Sequence, residues 1–430
     1  MSLGICAPAS TVIGKEFNSN NSFLLVLYIT IPNLGQTVSS LYISPLSERF
    51  GRVPIYHLFS LLYILFTLAT GFSNSLSTLI ILRVLTGGTI APICLNPAIT
   101  GDMFAATKRG SAMSIASVIP ILGSAVGPIV GGYITQYLSW RWTFWLMAIL
   151  TTAIQPFLIL VLKESYVPII RKKALQKTQI EFIDAPAPSK YLLGWNWSTV
   201  QAILLLIVRP FIILSSSRVA VLMALYLSVL YAYLGLLAAN MATVFQQVYG
   251  FSESQSGLVY LATSVGTLAG TVYCVFVLDH FLQVGLPGGK RDAQDEGRPE
   301  NRLIAIIPAM AAYPIGLMMY GWSLENHWHW IVPTLSTFLC GFSLSSSTTP
   351  IMSYLVDVFG DRAASAIAAV LPMRYVAGTF IPVAAPYLSD RLGYGWASSL
   401  LVFILLALIP PTFLVIVRPQ KKVAPIIVTR

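Results

Sequence analysis

Apolar residues in this chain come in long blocks separated by short polar segments. Eleven blocks, at roughly 23–43, 54–74, 77–99, 111–134, 142–162, 219–240, 255–278, 303–322, 330–353, 364–388 and 396–417, each approach the length needed to cross a bilayer. A crossing helix needs about 20 mostly apolar residues. Residues 1–13 are apolar but too short to cross, and the longest polar segment, 163–218, divides the spans into two groups. That segment holds Arg171, Lys172 and Lys173, then Pro186 and Pro188, then an apolar run at 203–214. The run is bounded by Arg209 and Arg218 and is too short to span, so it is expected to lie along the interface. Residues 285–302 mix glycine with alternating charge and read as a flexible loop. The expected organisation is an N-terminal bundle over 1–162, a central loop over 163–218, a second bundle over 219–417 and a tail over 418–430.

Composition agrees with the pattern. Of 430 residues 56% are hydrophobic and only 10% charged, where a soluble domain carries about a quarter. The fold class expected is therefore all-α and polytopic, with lipid as its main partner. The net charge of +10 is not a nucleic-acid footprint, because the basic residues sit between the apolar blocks. If the loop 44–54 is cytoplasmic, that side holds Arg49, Arg52, Lys108, Arg109, most of the central segment, Lys290, Arg291, Arg298, Arg302, Arg362, Lys421 and Lys422. The other side holds Lys15, Arg141 and Arg391. Positive charge accumulates on the cytoplasmic side of membrane proteins, which sets the expected topology with a cytoplasmic C-terminus. Asn20-Asn21-Ser22 is then a glycosylation sequon on the outer face, with Asn20 the acceptor. Cys6, Cys94, Cys274 and Cys340 are unpaired in sequence and support neither a disulfide framework nor a metal site.

Two motifs carry more than hydropathy. The loop Ser44-Pro-Leu-Ser-Glu-Arg-Phe-Gly-Arg52 places Glu48, Arg49, Gly51 and Arg52 at a tight turn, which Gly51 permits. Glu48 could face the positive end of a neighbouring helix, although an ordinary basic loop has the same composition. In the span after Ser111, Gly123, Gly127 and Gly131 recur every fourth residue with Pro128 and Gly132 beside them. Such a face lets helix backbones approach closely, and the proline bends its helix. Gly266 and Gly270 form a second such pair, and the two smooth faces are expected to meet where the bundles abut; the alternative is packing within each bundle.

Ser44–Arg52 resembles the cytoplasmic loop signature of the major facilitator superfamily, with Ser44 in place of its first glycine and Val53 in place of its last basic residue. Gly123–Gly132 matches that family's antiporter signature in full, and Arg83-Val-Leu-Thr-Gly87 looks like its fourth-helix signature. Residues 140–145, 163–168, 248–253 and 392–396 look like segments of the fungal twelve-span drug:proton antiporters. Cys6–Phe17 resembles the outer end of the family's first helix, so the chain is expected to begin inside that helix.

The resemblance implies two six-helix bundles around a cavity that opens alternately to each side, lined by helices one, four, seven and ten. Candidate cavity residues are Arg83, Thr86 and Asn96 on helix four and Tyr226, Tyr233 and Asn240 on helix seven. On helix ten they are Ser343 and Ser347, in register with Ser336 and Cys340. Serines of this kind also bond back to their own helix. Arg83 and Arg374 are the ionisable groups placed within spans, each about two turns in from a helix end, with snorkelling to the interface as the alternative to a functional role, and no carboxylate lies deep in a span. The function expected is proton-coupled efflux of a small organic compound by a monomer in the plasma or vacuolar membrane, with no cofactor beyond the proton gradient. The alternatives are an importer of the same fold and a non-transporting sensor or remnant. An enzyme is not expected, as no hydrolase, zinc-protease or phosphate-binding motif is present.

Overall fold

The computed structural model describes residues 4–18, 22–90, 92–104, 106–166, 169–171, 218–284, 299–359 and 363–417. The candidate acceptor Asn20, the run 203–214 and the tail 418–430 lie outside the described residues. Among those described the secondary structure is helical throughout.

A short 3-10 turn at Gly4–Cys6 leads into α1 (Ser10–Glu16). The first long apolar block is broken into α2 (Ser22–Thr30) and α3 (Pro32–Phe50). Pro32 is the cause, since it has no N–H to offer the carbonyl of Tyr28 four residues earlier. Then come α4 (Arg52–Gly71), α5 (Leu76–Gly88) and α6 (Pro92–Met103). Ser75 caps α5 by accepting from the Thr78 N–H at 3.2 Å. The first group closes with α7 (Ala106–Tyr137) and α8 (Arg141–Val161). After the central segment follow α9 (Arg218–Tyr249), α10 (Glu253–Val284), a 3-10 run at Pro299–Ile306, α11 (Ile307–Glu325) and α12 (Ile331–Phe359). The last element, α13 (Ala363–Val417), is two helices joined at Gly393, whose φ of 76° needs glycine.

Eight helices among the described residues are long and apolar enough to cross a membrane, fewer than the eleven blocks of the sequence. The difference has physical causes. The block 77–99 is split before Pro92, the last two blocks run on through Gly393, and α12, though 29 residues long, is loaded with serine and threonine. Ile119, Phe157, Leu160, Phe276 and Phe403 are turned outward, each 61–81% exposed. Ser343, Ser346, Ser353, Thr271 and Thr379 are fully buried. Apolar side chains outside and hydroxyls inside describe a surface made for lipid.

Glycines bring the helices together. A Cβ on Gly35 would strike the carbonyl of Val84, and one on Gly87 that of Pro32, so α3 and α5 touch backbone to backbone. In the second group Gly266 and Gly270 press on the carbonyls of Phe338 and Phe342 of α12. This corrects the expectation that they meet the Gly123–Gly131 face. α7 and α10 do pack together, but through Gly257, whose Cβ would lie 2.9 Å from the Pro128 carbonyl, while Gly131 abuts Ile5. The reason is azimuth. Nine residues separate Gly257 from Gly266, which turns them to opposite faces of one helix, about 180° apart at 3.6 residues per turn.

The second seam between the groups joins α3 to α13. Thr30 Oγ1, at the end of α2, donates to the Thr379 carbonyl at 3.0 Å, and Asn33 Nδ2 donates to that of Gly378 at 3.1 Å.

Candidate functional site

A cavity of about 300 Å³ lies where α2 faces α9 and α13. Leu25, Val26 and Ile29 of α2 form one wall; Leu236, Asn240, Thr243 and Gln247 of α9 form another. Tyr320 of α11 and Pro386, Asp390 and Tyr394 of α13 complete it. Apolar walls carrying a few amides and hydroxyls suit a small organic molecule. The lining belongs to the helix ends opposite those that carry Arg52 and Arg302.

The sequence-predicted cavity residues are distributed differently. Asn240 lines this cavity, with its amide nitrogen donating to the Leu236 carbonyl at 2.9 Å and reaching that of Pro382 at 3.5 Å. Tyr226 and Tyr233, fourteen and seven residues earlier on the same helix, are each 1% exposed and belong to the packed core with Tyr313 and Cys340. Ser343 is buried and donates back to the Leu339 carbonyl at 2.9 Å. Ser347 is also buried, and its hydroxyl approaches that of Tyr226 without meeting hydrogen-bond geometry.

Arg83 is wholly buried under the helix break that Pro32 creates. Its Nε donates to the Tyr28 carbonyl at 3.3 Å and its Nη2 reaches that of Ile29 at 3.5 Å. The Phe144 ring lies 5.7 Å from the guanidinium carbon. The arginine thus supplies the donors that the broken helix lacks. Thr86, one turn on, bonds back to Leu82, and the carbonyl of half-buried Asn96 accepts from Thr100.

The loop motif builds a compact polar knot. Gly51 has φ 104° and faces the Glu164 carboxylate so closely that a side chain would collide with it. Glu164 Oε1 accepts from the Arg52 N–H at 3.0 Å and from the Tyr166 N–H at 3.1 Å, while Oε2 accepts from the Val53 N–H at 3.3 Å. A carboxylate at those amides caps α4 and meets the positive end of its dipole. The Arg52 side chain, 2% exposed, pairs with Asp102 at 3.3 Å and donates to Ser47 Oγ at 2.7 Å. Arg49 lies 5.8 Å from the Phe50 ring. Glu48 falls in the last turn of α3, and its side chain is outside the described set.

The sequence reading missed a counterpart in the second group. Arg302, with no exposure, donates from Nε to Asp357 at 2.6 Å and from Nη1 to Asp279 at 3.1 Å. Asp279 also accepts from the backbone N–H of Ser111 at 3.0 Å and from its hydroxyl, which links α10 to α7 across the seam. A signal was available. In each group an arginine opens one span and an aspartate closes the next, 50 residues apart for Arg52 and Asp102 and 55 for Arg302 and Asp357.

The profile of the Major Facilitator Superfamily matches residues 1–382. The chain is 35% identical to the "MFS transporter cpaT" of Aspergillus oryzae over 94% of this chain and 81% of that one. It is 34% identical to the "Efflux pump radE" of Floropilus chiversii, over 94% and 75% of the two chains. Among solved structures, the proton:xylose symporter XylE matches with a TM-score of 0.71 at 17% identity, over 98% of this chain and 93% of that one. The human organic anion transporter MFSD10 matches with a TM-score of 0.67 at 18% identity, over 96% and 88%. At such identities these two structures speak for the fold alone. With a polytopic helical fold, a profile match over most of its length and relatives at a third identity, the chain belongs to the major facilitator superfamily of membrane transporters.

Proposed function

We propose that this transporter exports a small, partly apolar organic compound, such as a drug, toxin or fungal secondary metabolite, by proton-coupled alternating access. The observation that carries the reading is the cavity to which both groups of helices contribute, α2 from one and α9, α11 and α13 from the other. A site shared across a seam changes its exposure when the groups rock, which is what alternating access requires. The cavity lies toward the ends opposite the basic loops, where an exporter releases its cargo. The naming of a relative as an efflux pump supports the direction. Proton coupling rests on the likeness of Gly123–Gly132 to the antiporter signature, and the plasma membrane is the expected site of action.

Everted vesicles bearing the full chain test this. Compounds from a small panel of amphipathic organics should accumulate when the vesicle interior is acid, and a protonophore should abolish accumulation. Arg83→Ala and Gly127→Leu should insert normally and accumulate nothing. Unchanged accumulation by both variants, or indifference to the gradient, would count against the reading.

A further inference from the structure

The arginines drawn in among the described helices meet different partners. Arg52 has Asp102 and Arg302 has Asp279 and Asp357, while Arg83 sits on the carbonyls of a broken helix. Arg374 of α13 is half-buried and has no described carboxylate. Its guanidinium lies over the Tyr231 ring at 4.1 Å and near that of Tyr375 at 5.3 Å, and its Nε is buried with no hydrogen-bond acceptor. Ring faces stabilise a guanidinium but leave its charge uncompensated.

Arg374 is eleven residues into α13, within its apolar stretch. An ionisable group inside a span and facing a seam is held there at a cost that function normally explains.

The surroundings define what would complete the site. Tyr231 and Asn33 both crowd Gly378, one turn from Arg374: a Cβ there would lie 2.8 Å from Tyr231 Cδ1 and 3.4 Å from Asn33 Nδ2. The seam pairs Thr30 with Thr379 and Asn33 with Gly378, and that antiparallel register brings Gln36 level with the turn carrying Arg374. Asn33 and Gln36 are 3% and 4% exposed, and their side-chain oxygens, Oδ1 and Oε1, are unpartnered acceptors. A cationic donor with no described carboxylate, two unpartnered acceptors and an aromatic face are therefore gathered at the α3–α13 seam.

We infer that Arg374 binds an anionic group of the transported compound, so that the substrate class is an aromatic organic anion, a carboxylate or phenolate, carrying a hydrogen-bond donor for Asn33 or Gln36. The anion pairs with the guanidinium, the ring packs beside Tyr231, and the donor meets the amide oxygens. This deepens the export reading and rests on it, since the site is taken as a station on the route of the exported compound.

The test reads binding without transport. The full chain in phosphatidylcholine nanodiscs is titrated at mildly acid pH, where fluorescein is an anion that keeps one phenol O–H, with that dye and with pyronin Y, a cationic xanthene, by fluorescence anisotropy. Fluorescein should bind more tightly by on the order of tenfold or more, the loss typical of removing a charged hydrogen-bond partner. Arg374→Gln should erase the preference by weakening fluorescein alone, and Arg374→Lys should restore part of it. Retained pyronin Y binding shows that the variants are folded. Equal binding of the dyes, binding of neither, or a preference that survives Arg374→Gln overturns the inference. So does loss of the preference on adding phosphatidylglycerol, which would assign the arginine to a lipid headgroup. A chain that keeps the preference yet moves no compound upholds the anion site and sinks the export reading.

Discussion

At the scale of single residues, one carboxylate holds the basic end of α4 in place. Glu164 satisfies the N–H groups of Arg52, Val53 and Tyr166. Removing it strands amides that no helical carbonyl can reach. Glu164→Ala should therefore cost about 1–2 kcal/mol, the usual worth of an N-terminal cap, and Glu164→Gln less, because its amide oxygen still accepts. Thermal unfolding in detergent should show that order, and a Gln variant as damaged as Ala would mean that charge alone matters. At the opposite end of the molecule Glu16 binds Trp140 Nε1 at 2.5 Å and Arg141 at 2.7 Å. Burial pushes its carboxyl up, but the Trp140 hydrogen bond and the Arg141 pair outweigh that and leave it below its ordinary 4.5. A lowered carboxylate gives its full stabilisation above the unfolded value and loses it as pH falls through the folded one. Wild type and Glu16→Gln should thus differ in unfolding midpoint at neutral pH and converge in strong acid; a constant gap would show that Glu16 acts by packing alone. Gly51 and Arg52 were legible from the loop motif. Arg302 was missed, although its spacing to Asp357 nearly repeats that of Arg52 to Asp102, because a basic residue beside a polar segment by itself looks the same whether it marks topology or is buried between two aspartates.

At the scale of helices, hydropathy located the apolar blocks but neither their breaks nor their faces. Composition is blind to azimuth, and azimuth decided where each glycine pair went. Gly266 meets α12 within its own group, whereas Gly257, on the opposite face of α10, meets Pro128 across the seam. The same blindness placed Tyr226 and Tyr233 on one seven-residue stripe with Asn240 and Gln247, although only the latter two reach the cavity. A seven-residue repeat drifts about 20° per step around a straight helix, and the neighbours of α9 change along its length. Leucine at the two glycines separates the roles. Gly266→Leu forces apart α10 and α12, and overpacking of this kind costs about 1–3 kcal/mol or more, so this variant should lose folded yield. Gly257→Leu wedges α7 from α10 and should keep folded yield while transport falls. Yield by size exclusion and transport in vesicles distinguish them, and the reverse assignment would show that the α7–α10 seam is structural and not mobile.

At the scale of the molecule, the two seams differ in what opening them costs. Along α3–α13 the ties are single hydrogen bonds to backbone carbonyls, while at the basic end of α7–α10 two donors of Ser111 meet one charged acceptor. If α7 moves away, Asp279 loses both donors but keeps Arg302, which is itself held by Asp357. Opening therefore sacrifices hydrogen bonds to a charge, each worth about 1.5–3 kcal/mol, without stranding an ion. That is the range in which differential binding of a cargo shifts a two-state equilibrium. Ser111→Ala removes one of the two donors and should leave the fold intact while raising the population open at the basic end by roughly tenfold, the equivalent of 1.4 kcal/mol. Arg302→Ala instead leaves two acids without their cation, and breaking a buried pair costs about 3–5 kcal/mol, so it should unfold before it opens. Spin labels at Lys108→Cys and His280→Cys, in a background lacking the native cysteines, would read the separation of α7 and α10. A longer-distance population that grows in Ser111→Ala makes this contact the latch of the basic end; an unchanged distribution would leave Asp279 as a partner of Arg302 and nothing more.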